Sequence, residues 1–150
     1  MDKFMLPNGS ALLAGLNITP ERFWSGTKVA IPLSVLRILL SAMIAELPFD
    51  EKFYLEMYPD LAEAHKAGRL SDLRKHFIEQ GYFEGRFGVK PNVDEEFYRK
   101  TYADVALAVS KGQLNSGYDH YIRTGATEGR FASGAEMRLL EPWLEVLAKN

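Results

Sequence analysis

One stretch of this chain occurs twice, and that duplication limits the folds open to it more than any other feature. Phe49-Asp50-Glu51-Lys52-Phe53-Tyr54 through Glu84-Gly85-Arg86-Phe87 returns 44 residues later as Val93-Asp94-Glu95-Glu96-Phe97-Tyr98 through Glu128-Gly129-Arg130-Phe131. No insertion or deletion separates the copies. Asp50, Tyr54, Tyr58, Asp60, Gly68, Leu70, His76, Gly81, Glu84, Gly85, Arg86 and Phe87 are among the residues that recur at that offset. An ungapped duplication makes each copy one supersecondary unit, whose apolar face needs neighbours to cover it.

Each copy has the punctuation of three short helices. In copy one, Asp50 is placed to cap the first helix, with Glu51 in the turn where the helix dipole favours an acid. Phe53, Tyr54, Met57 and Tyr58 follow at helical spacing as a buried face. Pro59 should end this helix and Asp60 cap the next, Leu61 to Ala67, with Gly68 supplying its left-handed terminus. Leu70 anchors the connection. Ser71 is then the expected cap of a third helix, Asp72 to Gln80, stopped by Gly81 and followed by a turn through Tyr82-Phe83-Glu84-Gly85-Arg86. Copy two repeats the scheme with Asp94, Asp104, Gly112, Asn115 or Ser116, and Gly125. Ala103 stands where copy one has Pro59, so the first two helices are expected to join more smoothly there.

The flanks are helical as well. Asn8-Gly9-Ser10 signals a turn before a short helical stretch ending near Gly15. Thr19-Pro20-Glu21 has the order of a helix start, with cap, first-position proline and first-turn acid. Residues 28–31 are expected to be extended, because the residue before Pro32 is pushed from helical angles. From Pro32 to Leu47 the pattern is helical and apolar over most of its circumference, with Ser34, Arg37 and Ser41 as a narrow polar stripe. Such a helix is either central in the core or covered by another subunit, in which case Leu36 and Leu40 lie at a homo-oligomer contact formed by residues 33–47. Ser133-Gly134-Ala135-Glu136 is a capping box opening a C-terminal helix that Pro142 should kink or split. The resulting expectation is an all-α, single compact domain of short helices. It comprises an N-terminal helical region (1–48), repeat one (49–88), repeat two (93–132) and a C-terminal capping helix (133–150).

Composition narrows the chemistry. The chain has 150 residues, no Cys and a formal net charge of −2. Without thiols there are no disulfides, thiolate zinc sites or cysteine nucleophiles. Lys/Arg and Asp/Glu number four and three in residues 1–48, twelve and fourteen in 49–132, and two and three in 133–150. No segment has the basic footprint of phosphate-backbone binding, which disfavours nucleic acid. The start of the chain lacks the pattern of a secretory signal. The apolar run from Val29 to Leu47 contains Pro32 and Arg37 and is marginal for a membrane span, so a buried soluble helix and a cytoplasmic protein are expected.

Four polar residues recur in both copies: Asp60 with Asp104, His76 with His120, Glu84 with Glu128, and Arg86 with Arg130. They are either a site presented twice or the internal ties of the unit, with the aspartates as helix caps and the arginines as forks to carbonyls or to an acid across the repeat junction. Repetition favours structure, because residues that build a unit recur whenever the unit does. The histidines lack a second metal ligand that both copies share: Glu79 and Gln80 become Arg123 and Thr124. No phosphate loop or nucleophile elbow occurs. No catalytic, cofactor or metal residue is therefore assigned. Tyr82 and Phe83 become Ala126 and Thr127 in copy two, so the repeat does not require them, and they are candidates for an exposed contact patch.

Phe53-Tyr54, Tyr58-Pro59-Asp60-Leu61-Ala62, Gly68, Leu70, His76-Phe77 and Gly81 to Arg86 together resemble a short bacterial repeat. That repeat is found beside glycosyltransferase domains in surface-polysaccharide loci and in some large secreted repeat proteins. Phe97-Tyr98, Tyr102, Asp104-Val105-Ala106, Gly112, Leu114, His120-Tyr121 and Gly125 to Arg130 carry the likeness in copy two. The resemblance covers a little over half the chain and leaves residues 1–48 unmatched. It implies a non-catalytic accessory module near polysaccharide synthesis, with a glycosyltransferase or export component as protein partner. The expected function is thus a non-enzymatic helical adaptor. A small helical transcriptional regulator binding nucleic acid is one alternative. A hydrolase or transferase using Asp60, His76 and Glu84 in one pocket is another.

Overall fold

The computed structural model describes residues 7–26 and 28–148. The expectations for residues 1–6, which lack the pattern of a secretory signal, and for 149–150, at the end of the last helix, lie outside the described residues. Within them the chain is all-α, with no strand. It divides between Leu47 and Pro48 into two compact units.

Among its described residues the first unit holds three helices. Helix α1 (Gly9–Gly15) is capped by Asn8, whose Oδ1 accepts from the Ser10 amide at 3.0 Å. Asn17 ends it in a left-handed conformation (φ 56°), which Asn tolerates better than most residues. Helix α2 (Pro20–Ser25) starts as expected, with Thr19 Oγ1 accepting from the Arg22 amide at 3.2 Å. Helix α3 (Leu33–Ala45) departs from the expectation of a buried central helix. Only Ile44 on it is buried, whereas Leu33, Ile38 and Met43 are more than half exposed. Leu36 is exposed and Leu40 half-buried. The physical reason is supply: α1 and α2 are seven and six residues long, too short to cover a helix that is apolar nearly all round.

The second unit contains the duplication, and its elements recur at the sequence offset. Copy one has α4 (Glu51–Met57), α5 (Pro59–Lys66) and α6 (Leu73–His76). Copy two has α7 (Glu95–Thr101), α8 (Ala103–Ser110) and α9 (Gly117–His120). Asp50 and Asp94 cap their helices, each accepting the amide three residues on at 3.0 Å. Gly68 and Gly112 close α5 and α8 in the left-handed region (φ 71° and 69°), where a Cβ would be strained.

Three local expectations are corrected. Asp72, not Ser71, caps α6, accepting the Lys75 amide at 2.8 Å, which places Leu73 inward. The α4–α5 and α7–α8 breaks are alike despite Pro59 and Ala103: Tyr58 and Tyr102 adopt nearly the same angles (φ −122° and −113°, ψ 88° in both). The hinge is therefore held by the tyrosines, whose hydroxyls accept the Phe87 and Phe131 amides at 2.6 and 2.8 Å, and not by the proline. Finally, Pro142 lies inside a continuous helix, α10 (Gly134–Ala148), and does not split it.

The third helix of each copy widens instead of stopping. Residues Phe77–Gly81 and Tyr121–Gly125 are π-helical, continued by five-residue hydrogen bonds from Tyr82 N to Phe77 O and from Ala126 N to Tyr121 O. The cause lies beneath them. The rings of Tyr54 and Tyr98 are 0% exposed, and each hydroxyl meets the Nδ1 of His76 or His120, at 3.1 and 2.9 Å. A Cβ on Gly81 or Gly125 would run into that hydroxyl. The wider turn and the glycine together make room for a buried phenol.

Each copy also closes on itself. The Asp50 amide donates to the Gly88 carbonyl at 2.8 Å, and Asp94 to Ala132 at 2.9 Å. In copy one the Phe49 ring lies against Phe77, centroids 5.4 Å apart. In copy two Val93 stands in place of Phe49, and Phe87 from the end of copy one takes up the equivalent contact with Tyr121, at 5.9 Å. That ring joins the copies in one core around Tyr98, Val105, Tyr121 and Ala132. The opening of α10 is tied to copy two: Glu136 accepts from the Ala132 amide and from the Tyr121 hydroxyl, while Ser133 caps the helix.

Gly81→Ala should destabilise the protein by about 1–3 kcal/mol by overpacking this site. Adding Tyr54→Phe removes the hydroxyl and leaves the ring carbon Cζ at 3.4 Å from the new methyl group, an ordinary contact. The double variant should regain most of the loss, less about 1 kcal/mol for the hydrogen bond to His76. Urea denaturation of the singles and the double checks this, and simple additivity would refute it.

Candidate functional site

Three of the four repeated polar residues come together in each copy. Gly85 and Gly129 turn the chain in the left-handed region (φ 76° and 75°), which sets Glu84 beside Arg86 and Glu128 beside Arg130. Arg86 donates through Nη1 and Nη2 to the two oxygens of Asp60 at 3.1 and 2.9 Å, and through Nε to Glu84 at 2.7 Å. Arg130 does the same to Asp104 at 2.9 and 2.8 Å and to Glu128 at 2.7 Å. Each guanidinium lies 4.9 Å from the ring centroid of Tyr58 or Tyr102, adding a cation–π contact.

The aspartates are thus not the helix caps the sequence suggests. Tyr58 and Tyr102 occupy the cap positions, without a side-chain cap bond, and Asp60 and Asp104 sit in the first turn. There the dipole favours an acid while both carboxylate oxygens reach the arginine. The forks also join two parts of one copy and do not cross the repeat junction. Bidentate pairing holds the Asp60 carboxyl below its usual range and the Asp104 carboxyl down at about 2, with the paired arginines raised in turn. The arginine side chains are only 21% exposed, so little of either fork is open to an outside anion.

The histidines do not join this cluster as acid–base partners. Their Nδ1 atoms meet the buried tyrosine hydroxyls, and burial pushes Tyr54 and Tyr98 up to about 12. Among the described residues no group of three or more His, Asp or Glu could hold a metal ion. His65, which copy two lacks, hydrogen-bonds through Nδ1 to the Leu70 carbonyl at 2.7 Å and stiffens the α5–α6 connection.

Several contributors to these sites are not assigned such roles by the sequence. Tyr58 and Tyr102, expected as core face, are the platforms under the guanidiniums. Tyr54 and Tyr98 are the partners of the histidines. Their recurrence at the same offset as the charged residues is the signal that ties them together. Glu95, in the first turn of α7, accepts from the Gly117 and Tyr118 amides at 2.6 and 3.1 Å and so serves the start of α9. Its counterpart Glu51 stays exposed.

The apolar candidates lie elsewhere. Tyr82 and Phe83 are 46% and 56% exposed, paired edge to face with centroids 5.5 Å apart, beside the turn that carries Glu84 and Arg86. On α10, Leu139, Leu140, Trp143, Leu144 and Leu147 are all exposed, so only the first turns of that helix pack as a cap. Leu36 and Leu40 belong to α3 in the first unit. Among the described residues no helix is long and apolar enough to cross a membrane. No protein-family model, curated protein or solved structure matches the chain.

The forks set a pH dependence. Because the folded aspartates bind protons less readily than unfolded ones, the stability they contribute is fully present above pH about 4 and is lost as pH falls towards about 2. Asp60→Asn/Asp104→Asn should therefore be less stable than the parent at pH 7, and the gap should close as the pH approaches 2. Urea midpoints at pH 7, 4 and 2.5 check this. A gap independent of pH would show that the forks add no charge-dependent stability.

Proposed function

We propose that the protein is a non-enzymatic helical adaptor that engages a protein partner through its repeat unit. One observation carries this reading. The polar residues that both copies share are engaged in internal bonds, while apolar residues outside the shared pattern are left exposed. A site built for catalysis needs acids and bases free to exchange protons with a substrate. Here Asp60 and Glu84 both face Arg86, and His76 is bound to a buried phenol. Among the apolar residues left outward in this unit are the Tyr82–Phe83 pair and those of α10, a surface suited to another protein. The resemblance of the repeat to units beside surface-polysaccharide glycosyltransferases supports a partner of that kind, a glycosyltransferase or an export component on the cytoplasmic side.

Site-specific photocrosslinking in the native cell tests this. With the crosslinker at Phe83 or Leu139, the expected product is one discrete adduct with a polysaccharide-synthesis or export protein. The exposed position Lys52 serves as control and should give none. Equal labelling at Lys52, or an enzymatic activity abolished by His76→Ala in a folded protein, would overturn the reading.

A further inference from the structure

The first unit has a surface that the adaptor reading does not use. Between Glu21 and Glu46 the chain carries Arg22, Lys28 and Arg37 and no acid, although the whole protein is net negative. Among the described residues none of these three cations forms an ion pair. Arg22 and Lys28 line a cleft of about 170 Å³ whose other walls include Ile18, Phe23 and Val29. Beside it Trp24 is 84% exposed, with the Phe23 ring packed against it at 5.0 Å.

Helix α3 follows in the same acid-free segment. Leu33, Leu36 and Ile38 are exposed, and at about 100° per residue they point to different sides of the helix. A protein groove covers one stripe of a helix. An apolar helix open on several sides, next to cations and an outward tryptophan, is matched instead by a medium that is apolar inside and anionic at its surface. Trp at the headgroup level and Arg or Lys among the phosphates is the arrangement of interfacial membrane segments. The helix has 13 residues, about 20 Å at 1.5 Å per residue, too short to cross a hydrocarbon core of about 30 Å.

We propose that residues 22–45 form a surface that lies on anionic lipid bilayers, with Trp24, Phe23 and α3 entering the interface and Arg22, Lys28 and Arg37 contacting lipid phosphates. Such binding attaches the chain peripherally and leaves the repeat unit to its partner. The proposal depends on the first unit alone.

The test uses the full chain carrying Trp143→Phe, which makes Trp24 the one tryptophan. Vesicles of phosphatidylcholine with about 30 mole per cent phosphatidylglycerol and vesicles of phosphatidylcholine alone are compared. With the anionic vesicles Trp24 emission should shift to the blue, and the protein should co-sediment. Arg22→Gln/Lys28→Gln/Arg37→Gln should weaken binding about a hundredfold, since each cation near an anionic surface contributes about fivefold. Trp24→Ser should also weaken binding, and its exposed position leaves the fold intact by circular dichroism. Absence of binding to anionic vesicles would overturn the proposal, as would binding unchanged by the triple substitution. So would a lipid-free dimer with crosslinks between α3 helices and no vesicle binding, which would assign residues 33–47 to a second copy. None of these outcomes alters crosslinking at Phe83 or Leu139, so the adaptor reading stands or falls separately.

Discussion

A buried phenol against a bare glycine is the contact on which the repeat depends. Tyr54 and Tyr98 are the centres of their copies, and each hydroxyl needs a polar partner once it leaves water. His76 and His120 supply it. The glycine five residues after each histidine lets the helix backbone come close enough for that bond, and the π-helical turn widens the helix around it. From there the third helix delivers the chain to the Glu-Gly-Arg turn. The turn sets the arginine against the start of the second helix and over the tyrosine that hinges the first to the second. A tyrosine, a histidine, a glycine and an arginine thus fix three helices that are each too short to be stable alone.

This dependence explains which parts of the molecule are legible in the sequence. Asp50, Asp94, Thr19, Gly68, Gly112 and the Ser133–Glu136 box act within a few residues of themselves, so spacing alone identifies them. Asp60 misleads because an acid at a helix start satisfies the chemistry of a cap and of a fork equally well. Only the fold brings Arg86, 26 residues away, within reach. Ser71 and Asp72 are both competent caps, and the choice follows from burying Leu73. The π-helical turns have no local signal, since they answer to a hydroxyl from another helix. The candidate polar set was visible as a recurring pattern, but its partners were not: pairing Tyr54 with His76 requires knowing that α4 lies beneath α6.

The apolar helices show the opposite limit. Periodicity identifies α3 and α10 as helices and their faces as apolar. It does not say whether the rest of the chain has enough surface to cover them. In the repeat unit most of the aromatic residues find partners within their own copy, and Phe87 finds one in the next. In the first unit Ile18 and Ile44 are the buried residues among those described, and the greasiest helix of the chain is left open.

The seam between the copies has a consequence for how such a chain changes over generations. Each copy ties its own beginning to its own end, through Asp50 with Gly88 and Asp94 with Ala132, and copy one hands Phe87 forward to copy two. Phe49 fills the first socket from within, so the series has a built-in beginning, and Phe131 ends copy two as Phe87 ends copy one. Unequal recombination between the two coding segments preserves register, because nothing is inserted or lost between them. It would therefore add or remove a whole self-closed module at once, without disturbing the tyrosine at the centre of any other.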